Sequence, residues 1–128
     1  MNSFERLEDE ACKDGIDVIS QKFRNHSIRG LYCDGTIGIN RSITTTAEKS
    51  CVLAEELGHH YTSVGNIIDM TPSGNRKQER QARLWGYNKK IGLTGIITAF
   101  RAGCQNRHEI AEKLDVTEEY LQECIDCY

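Results

Sequence analysis

The sequence predicts an α+β fold, a small antiparallel sheet packed against one central helix with further helices around it. Three observations point there. Asp34-Gly35 sits between two short β-prone runs, residues 45–63 carry a capped helical pattern, and helical spacing dominates from about residue 75 onward. The chain of 128 residues, 38% hydrophobic and 27% charged with one proline, has the length and balance of one globular domain. Its formal net charge of −3 gives no general attraction to nucleic acid or to an anionic membrane.

From the N-terminus, Phe4, Leu7, Ala11, Ile16, Val18, Ile19 and Phe23 suit a helix over 4–25, broken near Gly15. The run "IRGLYCDGTIGIN" (28–40) is different in kind. Asp-Gly supplies the positive φ angles of a tight type I′ turn, so 30–40 is read as a hairpin. In its second half, Thr36 to Asn40 alternate polar or small with apolar residues, as in a strand with one buried face.

Thr45, with Glu48 three residues on, forms a capping-box pattern that starts a helix ending near 63–65. Ala47, Cys51, Ala54, Leu57, Gly58 and Tyr61 mark its inward face. "DMTPSGNRK" (69–77) reads as a loop at the edge of a cleft. A helix follows over about 75–90, with Glu79 on the same face as Ala82, Trp85 and Gly86. Another runs from 92–94 to about 102, and 106–127 reads as helix, short turn, helix.

Six cysteines without an apolar leader favour thiols in a reducing compartment, and the cytoplasm is the expected location. "CIDC" (124–127) lacks a second ligand pair for zinc and a βαβ context for redox chemistry, so the cysteines are read as structural or incidental. No stretch has the ~20 apolar residues of a membrane span.

Chemistry concentrates in "AEELGHHY" (54–61). In H-E-x-x-H, histidines four apart on a helix reach one metal while the glutamate between them takes a proton from water. Here glutamate stands at the first position. The spacing admits two registers, Glu55 with His59 and Glu56 with His60, and geometry alone does not choose.

The segments "GLYCDGTIGIN", "AEELGHHYTSVGNI" and "QERQARLWGYNKKI" together resemble the phage and mobile-element members of the ImmA/IrrE metallopeptidase family, over essentially the whole chain. That family's motifs are H-E-x-G-H and, on the next helix, E-x-x-A. Gly58-His59 and Glu79 to Ala82 match them and select the first register. The resemblance implies a zincin-like fold with Glu56 as general base and Glu55, His59 and Glu79 as metal ligands, Glu55 replacing the usual histidine. His60 and Tyr61 follow the motif as site-lining candidates, Tyr61 more simply as an aromatic on the buried face.

The implied cofactor is a divalent metal, Zn2+ first, with Mn2+ or Fe2+ admitted by the harder ligand set. The implied substrate is a partner protein such as a helix-turn-helix repressor, held in extended form on the second strand of the hairpin. The alternative is a protein that keeps the fold and binds such a partner without cleaving it.

The C-terminal "HEIAEKLDVTEEYLQECI" resembles a repressor helix-turn-helix, with Ala111, Leu114, Val116 and Leu121 at the junction. From 107 to 128, however, two cationic side chains stand against seven acidic ones, a net −5 that repels phosphates. The pair is read as part of the same unit, without direct contact to nucleic acid. His108 and His26 are read as surface and loop residues.

Overall fold

A computed structural model describes residues 1–25, 27–63 and 72–127, with 63 and 72–75 described as backbone only. Its described elements run α1 (Ser3–Lys13), β1 (Asp17–Gln21), β2 (Gly30–Cys33), β3 (Thr36–Asn40), α2 (Thr46–Ser63), α3 (Pro72–Lys90), α4 (Gly92–Arg101), α5 (Arg107–Leu114) and α6 (Glu118–Asp126). The architecture is α+β. None of the described helices is long and apolar enough to cross a membrane.

The first departure from the sequence reading lies at the N-terminus. Helix α1 is capped by the Asn2 side chain and ends at Asp14. Gly15 then takes φ +78°, a left-handed conformation that ends a helix without a Cβ clash. Beyond it the β-branched Val18 and Ile19 enter a strand rather than a second helical stretch.

That strand makes the sheet mixed rather than antiparallel. The order is β1-β3-β2. Val18 pairs with Ile37 in parallel, and Tyr32 pairs with Ile37 antiparallel across the hairpin. The Asp34-Gly35 turn forms as expected, with φ of 48° and 83°. Strand β3 is thereby central, with Ile37, Gly38, Ile39 and Asn40 all buried and Phe23 covering Gly38. It has no free edge for a peptide. The edge strand beside α2 is β2, the first strand of the hairpin.

Helix α2 carries the two halves of the molecule. Val52, Leu53, Ala54 and Leu57 pack with Leu7, Ala11, Ile37 and Ile39 on the sheet side. Cys51 instead joins Tyr87, Tyr120, Leu121 and Cys124 in a helical cluster. The Thr45 hydroxyl caps α2 by accepting from the Glu48 amide at 3.2 Å. The Glu48 carboxylate does not complete a capping box there and meets Arg29 at 3.5 Å.

Helix α3 starts earlier than the loop reading allowed, because Pro72 opens it, where a missing N–H removes nothing. Residues 72–77 are therefore helical, and 69–71 lie outside the described residues. At the C-terminus α5 and α6 form the expected pair. Ala111, Val116 and Leu121 are buried and Leu114 half-buried at their junction. His108 is exposed beside Glu112 and Glu118, and His26 lies outside the described residues.

Candidate metal centre

The site is built where α2 and α3 cross. A Cβ placed on Gly58 would lie 2.1 Å from the Ala82 carbonyl oxygen, and one on Gly86 would lie 3.3 Å from the Ala54 carbonyl oxygen. Small residues at both levels let the two backbones touch. Glu79 lies one turn before Ala82 on α3, so the contact carries its carboxylate to α2.

One ligand atom each from Glu55, His59 and Glu79 lies within 4.8 Å of the others. His59 Nε2 is 3.4 Å from Glu79 Oε2. Tetrahedral bonds of about 2.1 Å hold neighbouring donors about 3.4 Å apart, so the His59–Glu79 pair has the spacing of two ligands on one cation, with Glu55 close by. Its chemistry fits as well, since carboxylate oxygen and imidazole nitrogen both suit zinc, manganese and iron.

The electrostatics lead to the same conclusion. Burial pushes the Glu56 carboxyl up to about 7, and the negative charges of Glu55 and Glu79 push in the same direction. Burial likewise raises Glu55, against the opposing pull of Arg83. Acidic groups gathered out of water in this way are stabilised as anions by a bound cation.

Glu55, Glu56, His59 and Glu79 open on one cavity of about 540 Å³, whose far wall is Gly30, Leu31 and Tyr32 of β2. A second cavity of about 480 Å³ shares Gly30, Leu31, Glu55 and Glu56 and extends to Tyr120 and Glu123 of α6. The two make a trough along the β2 edge.

The residues after the motif separate. His60 Nδ1 lies 2.7 Å from the hydroxyl of Tyr32, a residue that lines the first cavity. Tyr61 lines neither cavity and is 37% exposed, so it is not the inward-facing residue that helical spacing suggested. Its ring stacks on Trp85 with centroids 5.0 Å apart, and its hydroxyl donates to Asp14 at the end of α1. Burial and that acceptor push its phenol up to about 12.

Sequence reading passed over Gly30 and Tyr32. Their signal was present in the period of two, which turns both toward α2 once the hairpin is set. A Cβ on Gly30 would lie 2.7 Å from Val52 Cγ1 and 3.1 Å from Glu56 Cγ, so this glycine lets β2 lie against the glutamate.

The family model of the IrrE N-terminal-like domain, peptidase M78, matches residues 11–125. Comparison with curated proteins and with solved structures gives no match. The chain belongs to the IrrE N-terminal-like metallopeptidase family.

Proposed function

We propose that this member of the peptidase M78 family is a metal-dependent endopeptidase acting on a partner protein, with a helix-turn-helix repressor the first substrate to test. The observation that carries this reading is the convergence of Glu55, His59 and Glu79 within 4.8 Å, with Glu56 in the same cavity. Those three residues would hold the metal. A bound zinc, or manganese or iron, supplies Lewis-acid polarisation and lowers the pKa of water.

The chain's own residues do the rest. Glu56 takes the proton from the attacking water and returns it to the departing amine. Burial, the largest cause of its upward shift, favours the protonated carboxyl that returns the proton. The edge of β2 receives the substrate as an added strand, which sets the scissile carbonyl over the α2 carboxylates.

The competing reading, a partner-binding protein without cleavage, draws its support from Glu55. A carboxylate in place of imidazole adds negative charge to the ligand set and weakens the generation of hydroxide.

Metal analysis of protein purified without chelator, repeated on Glu79→Ala, tests the ligand set. About one equivalent of metal, lost in the variant, is expected. Absence of metal from wild type under supplementation with zinc, manganese and iron would sink the hydrolase reading. Incubating candidate repressors with wild type and Glu56→Gln then separates the two functions. Cleavage by wild type alone marks a peptidase, and tight binding without cleavage by either marks the other.

A further inference from the structure

We propose that Tyr32 is a catalytic residue that donates its hydroxyl hydrogen to the oxyanion of the hydrolysis, and that His60 is the positioning residue that orients it. The inference rests on the metal-hydrolase reading above and adds a group to that site. When water adds to the scissile carbonyl carbon, the carbonyl oxygen gains a negative charge. The cavity in which this happens is already lined by four carboxylates, those of Asp34, Glu55, Glu56 and Glu79. Even a divalent cation leaves that lining net negative, so the growing charge needs hydrogen-bond donors from the walls.

Few side chains can serve. With His59 committed to the metal, the described lining residues offer only the Tyr32 hydroxyl and the Gln78 amide as side-chain donors. Tyr32 is the better placed of the two. It stands on β2, across the cavity from the α2 ligands, on the strand that would carry the substrate backbone. It is also oriented, because its hydroxyl lies 2.7 Å from His60 Nδ1 and the two rings meet edge to face with centroids 5.4 Å apart. His60 is in turn held edge to face by Tyr61, which stacks on Trp85.

The hydrogen bond has a direction that matters. In the tautomer with a proton on Nδ1, His60 donates to the Tyr32 oxygen. The phenol hydrogen is then left for the substrate. A half-buried tyrosine at a strand edge does not require this partner for its own satisfaction, since water could supply it. The ring relay instead fixes the hydroxyl before substrate arrives, which is what an oxyanion donor needs.

The test uses the full chain loaded with Co2+, whose visible absorption reports both metal and anion binding. Methylphosphonate serves as a small tetrahedral oxyanion. Wild type, Tyr32→Phe, His60→Ala, His60→Asn and Gln78→Ala are titrated first with Co2+ and then with the phosphonate. Unchanged Co2+ affinity with phosphonate binding weakened about tenfold or more in Tyr32→Phe is expected. His60→Ala should show a smaller loss, and His60→Asn, which keeps a donor near the Nδ1 position, should recover it.

Wild-type phosphonate affinity in Tyr32→Phe would overturn the proposal, as would a loss confined to Gln78→Ala. Loss of Co2+ together with the phosphonate in both Tyr32→Phe and His60→Asn would also overturn it, by making the pair a support of the fold. Failure of wild type to bind Co2+ at all would instead remove the metal-site reading, and this inference with it.

Discussion

Gly58 and Ala82 meet backbone to backbone, so closely that a Cβ on the glycine would lie 2.1 Å from the alanine carbonyl oxygen. An atom there has no flexible neighbour to displace, and the helices themselves must separate. Gly58→Ala is therefore expected to lower stability by about 1–3 kcal/mol. More tellingly, it should weaken metal binding, since Glu79 reaches His59 only through this crossing. Urea unfolding and zinc titration of the variant check both effects. Unchanged zinc affinity would show that the close crossing is not what assembles the ligands.

Glu55 gives a second prediction. Its carboxylate meets His59 and Glu79 within 4.8 Å from the position a histidine holds in H-E-x-x-H. Glu55→His would set two imidazoles four residues apart on α2 and remove one of two neighbouring half-buried acids. Zinc affinity is expected to rise about tenfold or more, with preference for zinc over manganese increased. Competitive titration against a chromophoric chelator measures the change. A fall in zinc affinity would mean that the α2 backbone at 55 is set for the reach of a glutamate side chain rather than an imidazole.

These residues also show what the sequence made legible. The hairpin and the start of α2 were readable because Asp34-Gly35 and Thr45 act locally, through positive φ and a side-chain cap. The grouping of Glu55, His59 and Glu79 required the family motif, because spacing along α2 allowed Glu56 and His60 equally well. The strand at 17–21 was hidden for a different reason. Val18 and Ile19 fit either period over so short a run, and only pairing with Ile37 and Gly38 decides for a strand. That same pairing makes β3 central and moves the free edge to β2, so one misread element also put the candidate edge on the wrong strand. Tyr32 went unnoticed because its partner, His60, is 28 residues away in sequence.

Gly30 yields a third prediction, about placement rather than metal. Its absent side chain leaves room for Val52 and Glu56, and an added methyl would press on both. Gly30→Ala is expected to keep its metal while cleavage falls by an order of magnitude, because Glu56 would be pushed from the water that the proposed mechanism assigns to it. The stability loss should reach about 1–3 kcal/mol, since Val52 is buried and β-branched and β2 must shift to clear it. Metal content and turnover, measured on one preparation, separate this outcome from loss of the site.

The last prediction concerns pH and the chelator-treated chain. Burial, then the charges of Glu55 and Glu79, raise the Glu56 carboxyl from its ordinary 4.5 to about 7 in the folded protein. A raised carboxyl binds its proton more tightly folded than unfolded. Its stabilising contribution is therefore complete below about pH 4.5 and is lost as pH rises through about 7. In EDTA, wild type should lose roughly 1–3 kcal/mol relative to Glu56→Gln between pH 5 and pH 8. The comparison with Glu56→Gln matters, because the histidines and distant acids titrate in both proteins and cancel. Zinc should reverse the slope, since a bound cation favours the ionised carboxylates of Glu55 and Glu79 and relieves Glu56 of their repulsion. Urea unfolding at four pH values, with EDTA and with zinc, supplies the data. Parallel curves for wild type and Glu56→Gln in EDTA would contradict a half-buried, electrostatically crowded glutamate at the centre of this site.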